Sequence, residues 1–511
     1  MKRELRTIYL MLILAVLGFG MTSCTTEDNP AEPVTPSDDP VVAWLSEIPG
    51  VSDVQILIQK PKSDNPVKIY DFSFDQLIDH KNPAKGTFKQ RVTMVYNDPS
   101  ATNVLLTEGY AISENPDSIS LSGISTLMMT NEICVEYRYF GNSLPEAFDN
   151  LDFTYLNSEQ ASADLHAVVS ALKQSGQFPQ KWIATGVSKS GIASSLYAYY
   201  DEKNGWNDID VYVPFCAPFC ESLADTRIGS YIEKSCLAHF PEAEARYEAF
   251  FKSIFTNTYL GNYLLQKMVQ TQPGLIETMK KQGLEENEIY WAVVHYNAVQ
   301  CQRSHFSRVA YVPIQSWASL IPSATASTEQ ELEWAYTFIY MQVEELEKEL
   351  KNRASSGTRV TMTEEQREGL LIKRAKDRTM PYAVQALLEL GDYAITYDFL
   401  KGTQGLFPSS FDYFEEREQL AFQFPMYVGQ YNNAMTMDFV YNFLPKTSKK
   451  MVFVYGGQDP WTGAAIPDPT NPNVKKIIVP GGVHCDNMND TRYYTKEYSD
   501  KIMALIMAFL Q

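Results

Sequence analysis

A serine set between glycines where a strand turns into a helix can carry out acyl transfer, if a base and an acid follow it in the chain. Residues Thr185-Gly186-Val187-Ser188-Lys189-Ser190-Gly191 supply such a serine. A short apolar stretch, Trp182 to Thr185, runs into them. A helical pattern rich in alanine and aromatics, Ser190 to Tyr200, runs out. In that context Ser188 sits on a sharp turn that lifts its Oγ out of a sheet, and Gly186 leaves room for the turn. The backbone N–H of Lys189, at the helix start, faces the oxygen on which negative charge develops. The pattern departs from G-x-S-x-G at one place, because Ser190 stands where the second glycine is expected and Gly191 follows it.

A serine hydroxyl alone is a poor nucleophile, so a histidine must take its proton and an acid must hold that histidine in the right tautomer. Strand-like Lys450 to Tyr455 ends in Gly456-Gly457-Gln458-Asp459-Pro460-Trp461, which puts Asp459 on a loop past a strand end. Strand-like Lys475 to Val479 ends in Pro480-Gly481-Gly482-Val483-His484-Cys485-Asp486. The chain has 6 histidines, and His484 is the one in this matching loop. Ser188, Asp459 and His484 therefore occur in the order nucleophile, acid, base, each after a strand, where open α/β sheets place their sites. Asp486 is a rival acid, but two residues from His484 it is badly placed to orient the ring. The second oxyanion donor is expected from the loop after the early strand Asn103 to Thr107, which reads Glu108-Gly109-Tyr110; the N–H of Tyr110 is the nominee.

These residues need a parallel sheet to hold them. Thr87 to Tyr96, Asn103 to Thr107, Glu132 to Arg138, Trp182 to Thr185 and Asp210 to Pro214 read as strands, with a helix from Glu159 to Gln174 among them. The βαβ rhythm predicts helices on both faces. From 221 to 440 helical patterns dominate, and sheet signals return after 441, with a closing helix from Lys496 to Leu510. The economical reading is an α/β domain in two parts, 41–220 and 441–511, interrupted by a helical insertion over 221–440.

The N-terminus reads as a processing signal. Lys2, Arg3 and Arg6 precede an apolar run from Tyr9 to Phe19, too short to span a bilayer comfortably. Met21-Thr22-Ser23-Cys24 closes it and resembles a bacterial lipoprotein signal, which implies a signal peptide over 1–23, lipid on Cys24 and an outer-membrane anchor. Residues 24–40, rich in Pro, Thr and acid, read as a flexible tether. The formal net charge of −19 argues against nucleic acid as a partner. There is no H-E-x-x-H, P-loop or G-x-G-x-x-G, and a triad requires no cofactor and no metal. Cys216 and Cys220, without a second pair, read as buried thiols or half-cystines rather than metal ligands.

Further segments carry a resemblance. Phe74-Asp75-Gln76-Leu77-Ile78-Asp79-His80, Glu136-Tyr137-Arg138-Tyr139-Phe140-Gly141, Tyr155-Leu156-Asn157-Ser158-Glu159-Gln160-Ala161, the Ser188 elbow, Asp459-Pro460-Trp461 and Gly482-Val483-His484-Cys485 together resemble the exported Pro-specific peptidases of the α/β-hydrolase clan. The similarity is to the secreted bacterial prolyl tri- and tetrapeptidyl aminopeptidases, and more distantly to the lysosomal Pro-X carboxypeptidase and dipeptidyl peptidase group. It implies an α/β-hydrolase fold with a large helical cap that admits peptide ends. It also implies short peptides as substrates and a proline pocket beside the scissile bond. Trp461 is the candidate wall of that pocket. Glu108 and Glu136 are the carboxylates available for a free N-terminal amine, with pairing to Arg138 as their structural alternative. A carboxylesterase or lipase-like hydrolase, and a surface lipoprotein that binds without catalysis, are the competing expectations.

Overall fold

The computed structural model describes residues 39–59, 67–145, 152–237, 240–281, 283–324, 328–341, 379–393, 429–485 and 495–511, with Ala326 and Met488 between them. The signal segment, Cys24, most of the tether, Asp486 and much of 342–428 lie outside the described residues.

Nine strands form one mixed sheet. They are β1 (Val51–Gln59), β2 (Val67–Leu77), β3 (Thr87–Val95), β4 (Asn103–Thr107), β5 (Asn131–Val135), β6 (Trp182–Val187), β7 (Val211–Phe215), β10 (Lys450–Gly456) and β11 (Val474–Val479). Two-residue strands β8 (Ala224–Asp225) and β9 (Asp392–Tyr393) pair separately. The spatial order is β1-β2-β3-β5-β4-β6-β7-β10-β11. Contacts from β1 to β5 are antiparallel, and those from β5 through β4, β6, β7 and β10 to β11 are parallel. The chain moves from β4 to β5 on one side and then to β6 on the other, so the order reverses at β4. A crevice opens at the strand C-termini where the order reverses.

The parallel strands are covered on both faces, and their side chains divide with a period of two. Val211 and Val213 of β7 and Val452 and Val454 of β10 meet Ile502 and Ile506 of the closing helix. Their neighbours Tyr212, Met451, Phe453 and Tyr455 join the other core. That core is filled by Leu165, Val168 and Leu172 of α1 (Ser158–Gln174) and Leu196 and Tyr197 of α2 (Lys189–Asn204). Helix α1 starts where the Asn157 side chain accepts the N–H of Gln160, with Glu159 in the first turn and Lys173 in the last.

Between β7 and β10 the chain leaves the sheet for α3 (Pro241–Thr256), α4 (Thr258–Thr271), α5 (Glu286–Tyr311) and α6 (Glu329–Tyr340), which share their own apolar core. That core takes in Ala464 from the loop after β10, so the insertion sits on the strand ends. This is an α/β-hydrolase fold with a large helical cap inserted. Among the described residues, no helix is long and apolar enough to cross a membrane.

Two details differ from expectation. Strand β5 ends at Val135, and the chain turns away through Tyr139, whose φ is 69°. Arg138 pairs with neither Glu108 nor Glu136; its partner is Asp164 on α1, and both side chains are essentially inaccessible. Its five N–H groups meet five acceptors: Asp164 twice, at 2.8 and 2.6 Å, and the carbonyls of Ile78, Tyr155 and Leu77 at 3.0–3.1 Å. This pair joins β2, α1 and the segment after β5. Arg138→Met is expected to cost about 3–5 kcal/mol by leaving the buried Asp164 with only His80 and Gln90 as partners, measured as a lower urea midpoint. An unchanged midpoint would show that the pair does not hold these elements.

Candidate active site

Four loops at the strand C-termini converge on the crevice. The elbow after β6 has Ser188 at φ 59° and ψ −122°, a conformation that the surroundings must enforce on a residue with a side chain. Its N–H donates to the Phe215 carbonyl at 2.9 Å. Glycine is required on both sides. A Cβ on Gly186 would lie 2.4 Å from the Ser190 carbonyl oxygen, and one on Gly191 would lie 2.7 Å from that of Phe215. Position 190 itself has room, and its hydroxyl has a use. Ser190 Oγ accepts the N–H of Gly109 at 2.8 Å.

Ser188 Oγ is 2.8 Å from His484 Nε2, and His484 Nδ1 is 2.9 Å from Asp459 Oδ2. The other oxygen, Asp459 Oδ1, accepts the N–H of Trp461 at 2.9 Å. Asp459 is fully buried and His484 nearly so, while Ser188 is half-buried and open to a reactant. Burial pushes the imidazole toward its neutral form, but the Asp459 carboxylate more than offsets this, and the pKa is raised above the usual histidine value. Glycine is also needed behind the acid, since a Cβ on Gly456 would lie 2.4 Å from the Gly482 carbonyl oxygen.

The cap contributes directly. The C-terminal turn of α5 gives the Ala310 carbonyl, which accepts the N–H of His484 at 2.6 Å. Tyr311 meets the imidazole edge-on at 5.6 Å. Trp461 stacks on it at 4.0 Å with 28° between the rings, and is backed by Phe306 at 4.9 Å. Trp461, Tyr311 and Tyr110 are each half-exposed. Tyr311 had no signal in the sequence, where it is one of 31 tyrosines in a helical segment.

The loop after β4 lies against the elbow. Thr107 Oγ1 donates to the Ser190 carbonyl at 2.7 Å. The N–H groups of Gly109 and Tyr110 both reach Glu108 Oε1, at 2.9 and 3.0 Å. The nominated oxyanion donor Tyr110 thus already holds an anionic oxygen, and Glu108 serves its own loop. Glu136 lies apart from Ser188 and has no exposure. Its carboxylate accepts from the N–H of Ile112, the N–H of Asn142 and the hydroxyl of Ser143, at 2.8–2.9 Å. Burial pushes its pKa up to about 7. Expected as a possible substrate ligand, Glu136 instead anchors the backbone after β5, with its carboxylate spent on those three donors.

The Lys189 side chain is buried. Its Nζ donates to the Gly109 carbonyl and lies 3.5, 4.7 and 5.1 Å from the ring centres of Tyr137, Phe140 and Tyr110. Burial lowers its pKa to about 7, against the pull of Glu108 and Glu389.

Cys216 comes within 4.8 Å of Asp459 and His484 through potential ligand atoms. A metal there would have to replace the Nδ1–Oδ2 hydrogen bond, and burial holds the Cys216 thiol protonated. All six cysteines from Cys134 to Cys485 are free thiols, so no half-cystine forms at Cys216 or Cys220.

Residues 36–226, which carry β1 to β7 and the elbow, match the family described as PS-10 peptidase S37. The whole chain is similar to the prolyl tri/tetrapeptidyl aminopeptidase of Streptomyces mobaraensis, at 25% identity over 504 residues, covering 96% of this chain and 88% of the relative. A shorter similarity, 26% over 202 residues, links 33% of the chain to 38% of the serine protease vicPb of Bipolaris victoriae (strain FI3). Among solved structures, a thermophilic esterase from Thermogutta terrifontis aligns with a TM-score of 0.32 at 9% identity, covering 86% of this chain and 99% of its own. Taken with the elbow and the hydrogen-bonded Ser188, His484 and Asp459, the sequence similarities make this chain a serine peptidase related to the S37 family and to the prolyl tri/tetrapeptidyl aminopeptidases.

Proposed function

We propose that the protein is an exported serine exopeptidase that releases short peptides, of three or four residues, from the N-terminus of peptides by cleavage after proline. The observation that carries the chemistry is the continuous path from Ser188 Oγ through His484 Nε2 and Nδ1 to Asp459 Oδ2, with links of 2.8 and 2.9 Å. As Ser188 Oγ bonds to the scissile carbonyl carbon, its proton moves to His484 Nε2, and Asp459 stabilises the imidazolium. His484 then gives that proton to the departing amine as the C–N bond breaks, leaving an acyl-serine. Water repeats the cycle in reverse and frees the peptide acid. The N–H of Lys189, which as the first of its helix has no intrahelical acceptor, is one oxyanion donor. The N–H of Tyr110 is the other, once the substrate oxygen takes the place of Glu108 Oε1.

Support for proline comes from the near full-length similarity to an enzyme of that name and from the rim of the site. A proline ring is compact, rigid and apolar, and suits the flat wall that Trp461 presents beside His484 with Phe306 behind it. The cap helix α5 supplies Phe306 and Tyr311 to this same wall, 4.9 and 6.2 Å from the Trp461 ring, and its closeness to the site favours chain ends over folded proteins. Export and lipid attachment at Cys24 rest on the N-terminal pattern alone.

Ala-Ala-Pro-p-nitroanilide with a free N-terminus is expected to be cleaved, its N-acylated form to be spared, and Ser188→Ala to abolish turnover. Cleavage of p-nitrophenyl esters with no peptide turnover would favour the carboxylesterase reading, and an unreactive Ser188 toward fluorophosphonate the binding lipoprotein. Because the base must be neutral, activity is expected to fall as pH drops through the His484 pKa, with the acid limb of kcat/KM above the ordinary value of about 6.5. Asp459→Asn should lower kcat by roughly 10⁴ and move that limb toward acid, since the strongest opposition to burial is then gone; a limb that stays in place would separate it from His484. In a Gram-negative host, Cys24→Ala should shift the protein from the membrane to the soluble fraction and end incorporation of labelled palmitate.

A further inference from the structure

Both backbone polar groups of Gly109 are held by side chains from the two residues that follow the nucleophile. Ser190 Oγ accepts the Gly109 N–H at 2.8 Å, and Lys189 Nζ donates to the Gly109 carbonyl. The approach is too close for any other residue at 109, because a Cβ there would lie 2.8 Å from Ser190 N. We propose that Lys189 and Ser190 are positioning residues that clamp the Gly109 backbone, aiming and strengthening the Tyr110 N–H as an oxyanion donor. The inference rests on the reading of Ser188 as nucleophile and of that N–H as one of its two donors.

The Gly109 carbonyl and the Tyr110 N–H are the two ends of one planar trans amide, so a grip on the first sets the direction of the second. A positive donor on the carbonyl also polarises the amide and makes its N–H a stronger donor, as in any hydrogen-bonded chain. Placing a lysine here costs desolvation. The aromatic faces of Tyr137, Phe140 and Tyr110 offset part of it and keep the cation on the carbonyl rather than in water. The amine donates to the carbonyl in either protonation state, so the aim of the amide does not depend on pH, whereas the polarisation weakens as Lys189 loses its charge. Ser190 fixes the preceding amide, which gives a use to the hydroxyl where a glycine is expected. Helix α2 thereby carries the nucleophile at its first turn and the supports of the oxyanion loop in the next two positions.

The test is the second-order rate constant for phosphonylation of Ser188 by a fluorophosphonate, which develops charge on an oxygen in the same hole and needs no peptide specificity. Lys189→Met, which keeps the bulk and removes the donor, should slow labelling about 10- to 100-fold. Ser190→Ala should slow it about 10-fold. Both should reach the wild-type labelled fraction at long times, and KM for a tripeptide amide should stay within about threefold while kcat falls. The double variant should lose less than the product of the two, since both act on one backbone unit. Wild-type rate constants in both single variants would overturn the clamp, and so would a smaller labelled fraction that reacts at the wild-type rate, since that is what a purely structural role predicts. If Lys189→Met does not fold, Ser190→Ala decides alone. A wild type that does not label at all would instead remove the serine-hydrolase reading on which the inference rests.

Discussion

The structure depends on one contact, the packing of the loop after β4 against the elbow after β6. These are adjacent parallel strands, paired from Asn103–Trp182 to Leu106–Thr185. At their C-terminal ends Gly109 meets the Lys189–Ser190 backbone too closely to carry a Cβ, and Gly186 has no room for one against the Ser190 carbonyl and the Thr107 side chain. Thr107 reaches across to the Ser190 carbonyl, Ser190 to the Gly109 N–H and Lys189 to the Gly109 carbonyl. The strained φ of Ser188 is tolerable because these bonds, and the one from its N–H to Phe215, leave the turn no other shape. Sheet order thus translates directly into the distance between Ser188 and the backbone of the loop after β4.

On the other side of the site the same economy recurs with different parts. Gly456 and Gly482 allow the loops after β10 and β11 to touch, which sets Asp459 beside His484. The aspartate divides its oxygens between the imidazole and the N–H of Trp461, so the residue that orients the base also fixes the indole stacked upon it. Chemistry and a binding wall are built from one five-residue turn, Pro460–Ala464, and the residue that caps it.

The local part of this was readable in the sequence. Ser188, Asp459 and His484 each follow an apolar strand and sit among small residues, and both signals are short-range. Long-range pairings were not readable. Arg138 lies next to Glu136 in the chain, but its carboxylate is Asp164, on a helix 26 positions away. Neither β1 nor β2 is legible as a strand: β1 alternates weakly and carries an irregularity between Ser52 and Gln55, with Asp53 at φ 55°, and β2 buries both faces from Ile69 to Phe72. Ser190 looked like a departure from a motif because the partner of its hydroxyl is 81 residues away. Tyr311 gave no sign at all, since the face a cap helix turns toward the site is decided by packing and not by its own periodicity.

The hydrogen bond from the His484 main chain to the Ala310 carbonyl ties the cap to the imidazole. The last turn of α5 is at once a piece of the cap and a support of the catalytic base. A cap that swung away as a whole to take in substrate would pull Ala310 and Tyr311 off the imidazole and leave the base unbraced. Whatever displaces the last turn of α5 therefore also loosens the imidazole, so the position of the cap and the readiness of His484 are one variable and not two.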